Sequence, residues 1–108
     1  MHDVSPIGNL PNLRWLDLSG CTGLTDLRPL GGLVGLQALA LHGCTGLRDL
    51  GPLSALRGLR ALVLSGCTGV QDLTPLRTLP PGGTLWLRGS GVRVVPDDLR
   101  WNLIGLRG

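Results

Sequence analysis

The chain has 108 residues, of which 26 are Leu and 18 are Gly; every one of its ten basic residues is Arg and every one of its seven acidic residues is Asp. That length allows one domain, and 43 % hydrophobic residues is too high for a disordered segment. A net charge of +3, scattered along the chain, does not make a nucleic-acid binder, and no apolar run reaches the roughly 18 residues that span a bilayer.

The first residues, MHDVSPIGNL, lack a basic stretch leading into an apolar core, so no secretory signal is expected there. Segment 3–9 matches the tail of a repeating unit, which makes 1–9 a partial N-terminal unit. Three units of equal length then align without gaps, at 10–32, 33–55 and 56–78, each reading LxxLxxLxLxGC and then TGLxDLxPL, with Val70 for one Leu. A fourth, LPPGGTLWLRGSGVRVVP from Leu79, keeps the path with small losses and is bounded at 79–98. Segment 99–108 is either a short capping helix with Asp97 or Asp98 at its N-terminus or a worn partial repeat. Leu103 and Leu106 there repeat the spacing of Leu33 and Leu36.

Within each unit the physics is legible. Leu16 and Leu18 alternate with Trp15, Asp17 and Ser19, the period-2 pattern of a half-buried strand, and the phase recurs at Leu39/Leu41, Leu62/Leu64 and Leu85/Leu87. Strands separated by a whole unit must be parallel neighbours. Gly-Cys-Thr-Gly turns follow, and the chain returns through inward leucines such as Leu24, Leu27 and Leu30. Pro29, Pro52 and Pro75 stand where a short helical turn starts, a place that tolerates a missing N–H. Ser5 and Thr74 precede such prolines and suit N-caps. The reading is a repeat solenoid of the α/β type, a horseshoe segment with a parallel concave sheet and short 3₁₀ or irregular convex returns, near the three-unit minimum for stability. Thin caps suggest a piece of a longer array, or ends that pack on other subunits.

This pattern resembles the leucine-rich repeat family, whose core is LxxLxLxx followed by Asn or Cys. The DLxPL half is similar to the internalin-like class, and Cys in place of Asn resembles the cysteine-containing class. The resemblance implies a bacterial ligand-recognition scaffold with no enzymatic activity. By analogy it implies a placement as the sensor part of an NLR-like signalling ATPase, although this chain has no Walker motif.

Four groups of residues invite a chemical reading. Cys21, Cys44, Cys67 and, in unit four, Ser90 fall on one ladder position. With no paired ligands nearby, they read as a structural ladder to turn backbone groups rather than a metal site or disulfide. Free thiols favour a reducing compartment, hence a cytoplasmic location. Asp3, Asp26, Asp49 and Asp72 form a second column; carboxylates in a row suit a cation, but before a proline each suits an Asx turn better, so neither metal nor cofactor is expected. His42 lies beside Ser19 and Ser65 with Asp17 close in sequence, a Ser–His pairing without oxyanion donors or an elbow, and reads as a contact residue instead.

The outward strand residues form three columns: Trp15, Ala38, Ala61, Thr84; Asp17, Ala40, Val63, Trp86; and Ser19, His42, Ser65, Arg88, with Arg14, Gln37 and Arg60 along one edge. A small apolar strip flanked by Trp and Arg is the composition of a binding surface. The expected contact residues for a protein or peptide partner are therefore Trp15, Asp17, Arg14, Ala40, His42, Arg60, Val63, Trp86 and Arg88. Against this, the two tryptophans would simply cover the ends of a short stack, and Trp101 fits an end cap. A competing role is self-association through the array ends. Arginines split over two faces build no nucleic-acid groove.

Overall fold

A computed structural model describes residues 13–105. Five short strands, β1 (Trp15–Asp17), β2 (Ala38–Ala40), β3 (Ala61–Val63), β4 (Thr84–Trp86) and β5 (Asn102–Ile104), form one parallel sheet in sequence order. Leu16, Leu39, Leu62 and Leu85 stand opposite one another in register, each 23 residues from the next. These leucines point into the core, and from Leu39 onward the row is at most 1 % exposed. The solenoid with a parallel concave sheet is what the repeat predicts.

Each of the first four strands leaves the sheet at a glycine of positive φ (Gly20, Gly43, Gly66 and Gly89, at 74–81°), a conformation in which a side chain would be strained. The glycine N–H still pairs across the stack: that of Gly20 donates to the His42 carbonyl at 2.7 Å, and that of Gly43 to the Ser65 carbonyl at 2.8 Å. The second glycine of the turn is needed for a different reason. A Cβ on Gly46 would lie 2.7 Å from the Thr22 carbonyl oxygen, and one on Gly69 would lie 2.6 Å from that of Leu47, so successive turns nest too closely for any side chain.

The returns carry three five-residue 3₁₀ helices, Arg28–Gly32, Gly51–Ala55 and Thr74–Thr78, each with Pro in its first two positions and one buried leucine. Thr74 is not the N-cap. It is already inside its helix, Leu73 holds the cap position, and the Thr74 hydroxyl turns back to the Asp72 carboxylate. Ser5, the companion expectation, lies outside the described residues, as do the partial unit 1–9, Asp3 and Leu106.

At the C-terminal end the capping helix is absent from the described residues, and Asn102–Ile104 is a fifth strand. Leu103 pairs with Leu85, so it occupies the strand position rather than the place of Leu33. The reason is a shortened fourth unit, whose step from Leu85 to Leu103 is 18 residues instead of 23. Unit four reads Gly-Ser-Gly-Val where earlier ones read Gly-Cys-Thr-Gly, and its return forms a single bridge from Asp72 to Val94 with no 3₁₀ helix. Trp101 packs back over this short unit. It is 6 % exposed, its Nε1 donates to the Pro80 carbonyl at 2.9 Å, and it lies so close to Gly83 that a Cβ there would come within 2.5 Å of the indole.

Candidate functional site

The sheet register puts the outward residues into continuous columns. Trp15, Ala38, Ala61, Thr84 and Asn102 form one; Asp17, Ala40, Val63, Trp86 and Ile104 form the next. Trp15 and Trp86 therefore stand diagonally across a floor of small side chains. They share the walls of a shallow depression of about 160 Å³ with Ala38, Ala40, Ala61 and Val63. Trp15 is 64 % exposed, whereas Trp86 is half-buried between strand neighbours. Burying that indole surface against a partner is the largest apolar gain this face offers.

Arg14, Gln37 and Arg60 line one edge, and their backbones form a ladder: the Gln37 N–H donates to the Arg14 carbonyl and the Arg60 N–H to the Gln37 carbonyl, both at 2.8 Å. All three side chains are exposed. At the other edge His42 and Arg88 are exposed and Ser65 is half-buried. The triad-like grouping does not assemble. The Ser19 N–H donates to the Asp17 carboxylate at 2.9 Å, and Ser19, through side chain and backbone, holds that carboxyl below its ordinary range. His42 makes no side-chain hydrogen bond among the described residues.

A second depression, about 450 Å³, is lined by Ser65, Trp86, Arg88, Ile104 and Gly105. Ile104 and Gly105 were not among the contact residues expected from sequence, because the shortened unit hides the fifth strand. The signal was present in Trp101-Asn102-Leu103-Ile104, which alternates inward and outward like every strand before it.

Beneath the sheet, the Cys44 thiol donates to the Leu18 carbonyl at 3.2 Å and the Cys67 thiol to the Leu41 carbonyl at 2.9 Å. The same carbonyls also accept turn N–H groups, from Cys21 and Cys44 respectively, so each thiol links one unit to the next. Burial pushes the Cys44 thiol up and the Cys67 thiol to about 11. Cys21 is half-buried and Ser90 likewise, and neither side chain makes a hydrogen bond among the described residues. In unit four the Gly91 N–H reaches the Cys67 carbonyl instead, at 3.3 Å.

The aspartates of the return column accept backbone N–H bonds two residues on: Asp26 from Arg28 at 2.9 Å, Asp49 from Gly51 and Asp72 from Thr74, both at 2.8 Å. The Arg28 side chain beside Asp26, and the Thr74 hydroxyl beside Asp72, hold those carboxyls below the ordinary carboxylate range. Among the described residues no cluster of three His, Cys, Asp or Glu is placed to hold a metal, and no helix is long and apolar enough to cross a membrane.

Residues 11–55 match the family model for leucine-rich repeats in two copies. No curated protein matches the sequence. Among solved structures, internalin C2 from Listeria monocytogenes is similar, with a TM-score of 0.59 and 24 % identity over 95 % of this chain and 57 % of that one. An internalin F from the same organism has a TM-score of 0.48 and 19 % identity, covering 99 % of this chain and 47 % of that one. The chain thus spans little more than half of the internalin C2 structure, and the likeness is one of fold.

Proposed function

The chain is a leucine-rich repeat solenoid, and from that premise we propose that it binds a protein or peptide on its sheet face, without catalysing a reaction. Leucine-rich repeats generally mediate protein–protein interaction. The observation that carries the reading is the diagonal of Trp15 and Trp86 over a small-residue floor, with Arg14, Arg60, His42 and Arg88 around it and Asp17 in its first row. Exposed aromatic and Arg side chains are the types that dominate interface energetics. Within this reading the module works in a reducing cytoplasm, since its described cysteines are free thiols. It would serve there as the sensor part of an NLR-like signalling protein, and a P-loop in the same open reading frame would support that placement.

The test is capture of partners from a lysate of the source cells by wild-type protein, by Trp15→Ala and Trp86→Ala, and by Arg48→Ala on the return face. The reading predicts a captured protein whose affinity falls by more than about 1 kcal/mol in each Trp variant and is unchanged in the return-face control. Equal capture by all four would place recognition elsewhere.

A second reading is self-association through the array ends. β5 pairs only with β4 among the described residues, its Leu103 is half-buried, and its Ile104 is 41 % exposed. Light scattering across a concentration series distinguishes the two, because a strict monomer contradicts self-association.

A further inference from the structure

The depression between β4 and β5 brings an apolar wall and a guanidinium together in one lining. Trp86 and Ile104 are direct register partners and make its apolar wall. Arg88, two residues beyond Trp86, stands at its rim and has no carboxylate partner among the described residues. Gly105 packs closely on the Arg88 backbone: a Cβ there would meet the Arg88 backbone N at 3.0 Å.

Charge decides what fits. The one carboxylate on the sheet strands is Asp17 on β1, already engaged by Ser19. Three strand spacings, about 14 Å, separate β1 from β4, more than the Debye length of about 8 Å at physiological salt, so among the described residues no strand carboxylate neutralises the Arg88 guanidinium at the depression. Its planar fork matches a carboxylate, and the apolar wall beside it strengthens the pairing by excluding water. A volume of about 450 Å³ lies within the usual range for ligand sites.

We propose that this depression seats an acidic residue of an extended peptide, its carboxylate on Arg88, with an apolar residue two positions away packed on Trp86 and Ile104. The spacing follows from the strand itself. Side chains two residues apart on an extended chain are about 6.6–7 Å apart and share a face, and Arg88 follows Trp86 by two residues just past the end of β4, where the ladder between units continues from the Gly66 N–H to the Arg88 carbonyl at 2.9 Å. The proposal rests on the sheet-face reading and names the partner chemistry for it.

A random peptide library displayed against the immobilised chain tests it, with selected peptides resynthesised and titrated against wild type, Arg88→Ala, Arg88→Glu, Trp86→Ala and Trp15→Ala. Arg88 is exposed, and thermal unfolding of each variant checks that the fold survives. The expected result is enrichment of Asp or Glu two positions from an apolar residue, a loss of about tenfold or more in affinity with Arg88→Ala, and selection shifted toward basic peptides with Arg88→Glu. Selected peptides that need Trp86 but carry no acidic residue, or bind Arg88→Ala as well as wild type, overturn this inference and leave the sheet-face reading standing. No enrichment, or peptides indifferent to Trp15, Trp86 and Arg88 alike, overturns both.

Discussion

Replacing Leu62 with alanine removes a side chain that is 0 % exposed and lies between Leu39 and Leu85 in the inner row. Three carbons leave, and the cavity cannot close easily, because the backbone of β3 is pinned on both sides by parallel pairing to β2 and β4. Leu→Ala costs of about 2.7–5 kcal/mol grow with the residual cavity, so a pinned site belongs in the upper half of that range. For a 108-residue chain whose total stability is about 5–15 kcal/mol, that is a large share. Leu103→Ala provides the internal control. It removes the same atoms from the same row, but from a half-buried position with a single described neighbour strand, and should cost about 1 kcal/mol. Urea unfolding followed by circular dichroism reads the difference. With m near 1.5 kcal/mol/M, Leu62→Ala should lower the midpoint by about 2.6–3.3 M and Leu103→Ala by about 0.7 M. Equal shifts would mean that stacking on both sides contributes nothing.

The two glycines of each turn should fail in different ways. Gly69→Ala drives a Cβ to 2.6 Å from the Leu47 carbonyl oxygen and should destabilise by about 1–3 kcal/mol through overpacking, whereas Gly20→Ala meets open space and should cost about 1–2 kcal/mol from its φ of +81° alone. Thermal melts read both losses, and hydrogen exchange on Gly69→Ala should show the two nested turns loosened, as faster exchange of the Val70 and Leu47 amides that donate to the Cys67 and Cys44 carbonyls. With iodoacetamide at pH 8, Cys21 should label in the native protein, while Cys44 and Cys67 should label only as it unfolds; peptide mass mapping reports the order. Because burial raises the Cys67 thiol from 9.0 to about 11, the unfolded chain ionises first. Stability from this group is complete below pH 9 and is lost as pH rises from about 9 to about 11, and urea midpoints across that window should fall.

Most of the fold was legible because a repeat repeats its physics. Leu16, Leu39, Leu62 and Leu85 keep a constant step, so strand, direction and register followed from spacing, and the outward columns followed from alternation. The fifth strand was misread because unit four loses a turn threonine and its 3₁₀ helix, which shifts Leu103 out of the 23-residue frame. Local pattern still held there, but a fixed period was the wrong ruler. Thr74 was misplaced for a related reason: Asp72, two residues earlier, competes for its hydroxyl. The larger depression was beyond sequence reasoning, since Arg88 and Ile104 come together only once β5 is known to lie beside β4.

Recognition through the sheet face can be read directly from a hydrogen-exchange and methyl-NMR footprint of the chain with its captured partner. Binding on the sheet face should give protection and shift changes at Ala40, Val63, Trp86 and Ile104, with Val34 and Arg48 on the return side unchanged. A footprint centred on the return side, with the sheet face untouched, would contradict it.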